Sequence, residues 1–398
     1  MNFLFLILGI VSLGWSFYVL FRSIAYYNHI QKDFKQPNPG HHPKVGLIVP
    51  CRGIDHGFEQ NIESILKQDY DNYHVVFVTG ASDDPAYLVL EKLLKGSRWT
   101  FARLVTSGPA RNCSQKIVSL LRGVDEIDSD TEVLAFADSD GQLHRSWLRN
   151  LVNPLWDSKV GATTSYRWYL PVKGSFWSAV RSVWNAASTN PFYNGKYTFV
   201  WGGTTALRKA VFEEIGVADL WKNALSDDLV LSKAVKKAGY RIEFVPKCMV
   251  MSSDKCNFGQ LLEWTTRQMV ILRVYAPEVW KIAAYSYGFF NFAIVLGLIL
   301  CLRSIAGGSG LSFEGALLLS NLPVRMMNGY IRFLTAKETM PHQRRRVQEH
   351  WWIYILLNPV SSILMSFNIL KAATTNKVSW RGIRYEMRSP SKTIVLHQ

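Results

Sequence analysis

Three acidic pairs punctuate the chain: Asp83-Asp84, Asp138-Ser139-Asp140 and Asp227-Asp228. The middle one carries the most chemistry. Val133, Leu134, Ala135, Phe136 and Ala137 form an apolar run that ends in two carboxylates one residue apart, Asp138 and Asp140. Hard oxygen ligands gathered at a strand terminus suit a divalent metal that holds a diphosphate and neutralises it as a leaving group. Such spacing also occurs in surface turns; the buried strand leading in favours the ligand-binding reading. Asp83-Asp84 follows another apolar run, and a carboxylate there can accept from the base or ribose of a nucleotide while capping the next helix. Asp227-Asp228, behind Ser226, opens a stretch with Leu229, Val230, Ala234 and Val235 at helical spacing. Capping and the helix dipole account for first-turn acids in general. Displacement at a sugar carbon by an alcohol, however, needs a general base opposite the leaving group, and Asp228, with Asp227 beside it, is the candidate.

These groups need a scaffold, and residues 43–280 provide one in which short β-branched runs alternate with helical stretches. Strands are expected at 45–50, 73–79, 103–106, 133–137 and 161–166, and helices at 58–67, 84–94, 115–124 and 226–238. Strand followed by helix, repeated, gives an α/β class with a mostly parallel mixed sheet, and ligands in such sheets sit beyond the carboxyl ends of the strands. The turn Pro50-Cys51-Arg52-Gly53 lies at one such end, where backbone and Arg52 can face a nucleotide. Gly-rich dinucleotide and triphosphate fingerprints are absent from these turns. Between the second and third acidic pairs the chain is dense in aromatics, with Trp168, Phe176, Trp177, Trp184, Phe192, Tyr193 and Trp201, as expected of a surface that admits a lipid.

Both ends of the chain read as membrane. Residues 2–21 run almost without charge, 283–302 and 351–370 are further apolar runs, and 311–334 is a weaker stretch interrupted by Glu314, Pro323, Arg325 and Arg332. The expected organisation is an anchor at 1–22, a catalytic domain at 43–280, a membrane region at 283–372 and a basic tail at 373–398. Arg22, Lys32, Lys35 and Lys44 follow the first apolar segment, so the positive-inside bias makes this an integral membrane protein with its catalytic domain in the cytoplasm. The net charge of +15 lies largely beside lipid segments, where anionic headgroups are nearer partners than a nucleic-acid polymer. The five cysteines lack the short paired spacing of zinc sites or redox dithiols, and reduced thiols are expected.

Taken in order, these motifs resemble the inverting family-2 glycosyltransferases and, within them, the ceramide glucosyltransferase family. The resemblance covers nearly the whole chain and rests on the first apolar segment, Asp83-Asp84-Pro85-Ala86, Asn112-Cys113-Ser114-Gln115-Lys116-Ile117, Asp138-Ser139-Asp140, Asp227-Asp228, and Ser379-Trp380-Arg381-Gly382 with Tyr385. It implies a GT-A type nucleotide-sugar-binding domain, a divalent cation (Mg2+ or Mn2+), a nucleotide-sugar donor such as UDP-glucose, and transfer with inversion to a membrane lipid hydroxyl such as that of ceramide. Residue by residue, Asp84 with Asp83 resembles the nucleotide contact, Asp138, Ser139 and Asp140 the metal and diphosphate site, Lys116 a phosphate-neutralising lysine, and Asp228 the base. Trp201-Gly202-Gly203 resembles the acceptor-side glycine turn. One departure stands out: where the family carries Gln-x-x-Arg-Trp, this chain has Gln260-Leu261-Leu262-Glu263-Trp264, followed by Arg267, Gln268 and Arg273, which leaves the register of the acceptor-side residues Trp264, Arg267, Gln268 and Arg273 open. A hopanoid, sterol or diacylglycerol acceptor is an alternative to ceramide. A polysaccharide synthase is disfavoured by Glu263 and the modest membrane content, and an inactive nucleotide-sugar-binding protein by the three acidic sites.

Overall fold

The computed structural model describes residues 3–34, 40–95, 99–189, 195 and 197–397; Asn2, Lys35, Phe192 and Tyr193, invoked above, lie outside the described residues. The chain divides into two compact units. One comprises Met1–Lys32, Leu170–Asn190 and Lys255–Thr375, the other Asp33–Tyr169, Pro191–Asp254 and Asn376–Gln398.

The second unit holds the strands: β1 (Val45–Pro50), β2 (Tyr73–Thr79), β3 (Ala102–Thr106), β4 (Val133–Ala137), β5 (Val160–Thr164), β6 (Arg167–Tyr169), β7 (Thr204–Arg208), β8 (Arg241–Phe244), β9 (Val250–Ser252), β10 (Lys377–Trp380), β11 (Ile383–Ser389) and β12 (Lys392–His397). Seven of them form one sheet in the order β3-β2-β1-β4-β7-β5-β8. β7 runs antiparallel to both neighbours and all other pairs are parallel. Every residue of β2 and β4 is buried, because helices cover both faces of a parallel sheet, and such strands are visible in the sequence as unbroken apolar runs. Val45, Leu47 and Val49 enter one core while Ile48 enters the other, as the two-residue pleat requires. Pairing of Ala137 with Thr204 brings the turn before β7, Trp201 to Gly203, against the carboxyl end of β4. β6 and β9 pair in parallel as a separate small sheet, and β10-β11-β12 form an antiparallel meander. The tail, expected only to be basic, is therefore a folded sheet.

The first unit is helical. Two of its helices are long and apolar enough to cross a membrane, at Phe3–Lys32 and Pro277–Ala306, and only 22% of each apolar window is buried. A soluble core helix would hide that face. The apolar run at 351–370 divides at Leu357 into Trp351–Leu356 and Asn358–Ala373, with Pro359 in the first turn of the second helix. Each piece is shorter than the about 20 residues of a straight span. The weaker stretch becomes Phe313–Leu319 and Asn321–Thr339. Asn321 ties the latter helix to the first one, accepting from Ser16 Oγ at 2.6 Å and donating to Ser12 Oγ at 3.0 Å. Trp168 and Trp184, at 2% and 1% exposure, are core packing residues of their units; of the aromatics expected to face lipid, Phe176 is exposed.

Gly329 on helix Asn321–Thr339 packs directly against the backbone carbonyl of Tyr354, with no room for a Cβ and no side chain to yield. Gly329→Ala is expected to destabilise the helical unit by about 1–3 kcal/mol, seen as a lower thermal midpoint in detergent. A midpoint matching the parent would mean that the two helices do not cross this closely.

Candidate active site

The site lies where β1 and β4 end. Val133–Ala137 delivers Asp138, Ser139 and Asp140 beyond the sheet edge, and the adjacent β7 turn fixes them, with the Asp138 N–H donating to the Gly203 carbonyl at 3.3 Å. Helix Gln115–Asp125 begins at Ser114, whose hydroxyl accepts from the Ile117 N–H, and so places Lys116 in its first turn. Helix Asp227–Lys237 begins at Ser226, whose hydroxyl accepts from the Leu229 N–H, and so places Asp227 and Asp228 in its first turn.

Lys116 joins the two. Its Nζ lies 2.9 Å from Asp138 Oδ1 and 3.3 Å from Asp227 Oδ2, with the lysine side chain 13% and the Asp227 side chain 6% exposed. Burial disfavours the Lys116 charge, yet Asp138, Asp227 and Asp228 hold its pKa above the ordinary lysine value. Burial pushes Asp227 up to about 6, against the pull of Lys116 and with the help of Asp228 and Asp138. Gly202 and Gly203 are required by this arrangement: a Cβ on Gly202 would strike the Asp227 carboxylate and lie 2.9 Å from Lys116 Nζ, and one on Gly203 would lie 2.5 Å from Asp138 Oδ2.

A second cation completes the cluster. Arg167, from β6, donates to Asp138 Oδ2 at 3.1 Å and to both oxygens of Asp140, at 2.9 Å for Oδ2. Its guanidinium lies 5.0 Å from the Trp201 ring centroid. Burial alone would raise the Asp140 pKa, but Arg167 and then Arg381 hold it down at about 2. Arg381, at the β10–β11 turn, pairs with Asp55 at 2.7 Å and reaches Asp140 at 3.5 Å. Ser252 Oγ donates to the Asp140 carbonyl and Asn61 Nδ2 to that of Ser139, so the loop backbone is held from two further elements.

Two carboxylates one residue apart match, in type and number, what a Mg2+ or Mn2+ takes from a protein when a substrate diphosphate and water supply its remaining oxygens. A closed all-protein cage does not fit, since among the described residues no group of three His, Cys, Asp or Glu is placed to hold a metal ion. Asp138 and Asp140, side chains 25% and 21% exposed, are the donors that would hold the cation, in place of part of their pairing with Arg167.

Asp84 caps helix Pro85–Leu94, its Oδ1 accepting from the N–H of Ala86 and of Gly53, both at 2.8 Å, which braces the Pro50 to Gly53 turn; Asp83 is exposed beside it. Cys51 is 3% exposed, packs in the core, and has its thiol pKa pushed up by burial. Arg52 is half-buried and its carbonyl accepts from Arg381 at 3.4 Å. Asp228 is half-buried, and its Oδ1 accepts from the Ser226 hydroxyl and from the Leu229 N–H at 2.8 Å. Trp264, Arg267, Gln268 and Arg273 lie on helix Phe258–Tyr275 of the helical unit, where Trp264 meets Trp184 at 5.3 Å and Arg273 donates to the Thr375 carbonyl. None of the five cysteines, all among the described residues, forms a disulfide. Sequence reasoning missed Arg167 and Asp55 altogether, and saw Arg381 only as part of a motif.

Among known proteins, the family model of glycosyl transferase family 21 matches residues 5–393. The chain belongs to that family. Ceramide glucosyltransferase 3 and ceramide glucosyltransferase 1 of Caenorhabditis elegans are each 20% identical to this family 21 member, over 60% and 55% of its length and 52% and 49% of their own. The chain thus spans about half the length of the curated relatives it matches. The solved mannosyltransferase from Pyrobaculum calidifontis, in complex with GDP-Man and Mn2+, aligns over 92% of this chain and 98% of its own, with 18% identity and a TM-score of 0.49. The family, with the mostly parallel mixed sheet described above, bears out the expected GT-A type α/β domain accompanied by candidate membrane helices.

Asp227 keeps a proton in the folded protein at pH values where an unfolded chain has released it. Its contribution to stability is therefore complete below about pH 4 and is lost as pH rises through about 6. In EDTA, the thermal midpoint of the parent relative to Asp227→Asn is expected to fall across that interval. A difference that stays constant would mean that burial does not outweigh the pull of Lys116 on Asp227.

Proposed function

We propose that this family 21 protein is an inverting hexosyltransferase that moves glucose from UDP-glucose to a membrane lipid hydroxyl, that of ceramide, and so makes a β-glycolipid at the cytoplasmic face. The observation that carries the reading is the Lys116 bridge, which sets the Asp138 end of the diphosphate site beside the Asp227-Asp228 helix start. Family membership supports glycosyl transfer, the names of the two nematode relatives support glucose and ceramide, and the two apolar helices support an acceptor drawn from a bilayer.

In this mechanism Asp84 and the Gly53 turn hold the nucleoside, Asp84 Oδ2 taking none of the described hydrogen bonds and so remaining available to the ribose. Lys116 and Arg167 are the buried cations toward which negative charge on the leaving diphosphate would develop. A Mg2+ or Mn2+ held by Asp138 and Asp140 would supply Lewis-acid stabilisation of the same leaving group. Asp228 takes the proton of the acceptor hydroxyl through Oδ2, the oxygen that accepts none of the described hydrogen bonds, while Ser226 and Leu229 hold Oδ1 and fix the rotamer. The deprotonating oxygen attacks the anomeric carbon opposite the diphosphate, so an α-linked donor yields a β-glycoside. Trp201, braced by Arg167, offers a ring face beside the reacting sugar.

Purified protein given UDP-glucose, Mg2+ and ceramide is expected to form β-glucosylceramide. Asp228→Asn should lower the rate by about 10²- to 10⁴-fold while leaving nucleotide binding near the parent value. A variant retaining more than about a tenth of the parent rate would remove Asp228 as the base, and an α-linked product would remove the single-displacement mechanism.

A further inference from the structure

We propose that Arg381 is a ligand for the diphosphate of the nucleotide donor, delivered by a strained hairpin turn, and that it exchanges its carboxylate partners Asp55 and Asp140 for phosphate oxygens when the donor binds. The inference rests on the donor class proposed above.

β10 and β11 pair up to Trp380 with Ile383, so Arg381 and Gly382 alone make the turn. Both are left-handed, with φ of 52° and 81°. Two left-handed central residues define the type I′ hairpin, in which Asn-Gly is the favoured pair and a long L side chain at the first position is strained. Arg381 is the described non-glycine residue with a positive φ. An asparagine would make the same turn more cheaply, so the geometry points to a use for the guanidinium itself.

That guanidinium forks onto Asp55 at 2.7 and 2.8 Å, reaches the Arg52 carbonyl at 3.4 Å and lies 3.5 Å from Asp140, beyond the ends of β1 and β4. The base of the meander is fixed while the tip overlooks the site. The Tyr385 hydroxyl accepts from the Gln115 N–H at 3.1 Å, the Thr393 N–H donates to the Asn223 carbonyl at 3.0 Å, and Tyr385 and Met387 are buried.

Accessibility separates Arg381 from the other two cations of the cluster. The Lys116 and Arg167 side chains are 13% and 9% exposed, whereas that of Arg381 is 36% exposed. Asp140 already takes two donors from Arg167, so the Arg381 contact with it is the longest and the most easily given up. A planar fork that now grips a carboxylate grips a phosphate with the same geometry.

The test is calorimetric titration of the full-length protein in detergent and Mg2+ with UDP, with UMP and, for the parent, with GDP, alongside thermal midpoints. Arg381→Asn, which suits the turn but gives up the pair with Asp55, is expected to shift the midpoint little, to weaken UDP binding about tenfold or more, and to change UMP binding less than about twofold. Arg381→Lys should fall between the parent and Arg381→Asn for UDP. Unchanged UDP affinity in Arg381→Asn would overturn the role of Arg381 and leave the donor class standing. A lower midpoint with equal losses for UDP and UMP would overturn it in favour of a purely structural part. A parent that binds neither UDP nor GDP would overturn the donor class and this inference with it.

Discussion

The organisation of the strand-bearing unit turns on one buried ammonium. Lys116 stands between Asp138, which ends a central strand, and Asp227, which begins a helix almost ninety residues later in the sequence, and it touches both. Without it two carboxylates would share a dry pocket, and removing one partner from such a buried pair costs about 3–5 kcal/mol. The rest of the local design serves this contact. Ser114 starts the helix that carries Lys116, β7 runs backwards to bring its preceding turn to the end of β4, and Gly202 and Gly203 leave that turn without side chains where the carboxylates pack.

Around this centre, charge is balanced rather than minimised. Arg167 and Arg381 neutralise Asp140 and part of Asp138. The result is a cluster of alternating sign in which, under the proposed function, carboxylates would pass to a hard cation and guanidiniums to phosphate oxygens. If the proposed function holds, both sets of partners are carried in advance of a metal and a diphosphate, since each buried charge otherwise needs a counter-charge.

Much of this was legible in the sequence where the signal is local. β1, β2 and β4 are buried on both faces and appear as unbroken apolar runs, and the acids that follow them fall at strand ends by arithmetic. Asp84 and Ser226 are legible as caps for the same reason, whereas the capping role of Ser114 came from the structure. What escaped is long-range. Arg167 sits in a three-residue strand that pairs with β9, more than eighty residues away, and nothing in its neighbourhood marks it. Asp55 and Arg381 are 326 positions apart. The carboxyl-terminal sheet did leave a trace: Ile383, Tyr385 and Met387 are buried at every second position of β11, with Arg384 and Arg388 outward, a two-residue period that the basic composition of the tail concealed. Trp168 and Trp184 mislead in the opposite direction, because an aromatic count does not distinguish a lipid-facing ring from a packed one.

The coupling of the Asp138 strand end to the Asp227 helix start through Lys116 is tested most directly by a double-mutant cycle. Thermal stabilities of the parent, Lys116→Met, Asp227→Asn and the double variant give the interaction energy between the two side chains. A buried contact of this kind predicts a coupling of about 0.5–3 kcal/mol, with the double variant less destabilised than the sum of the singles. Strict additivity would mean that the two groups do not meet, and the common site built upon them would not exist.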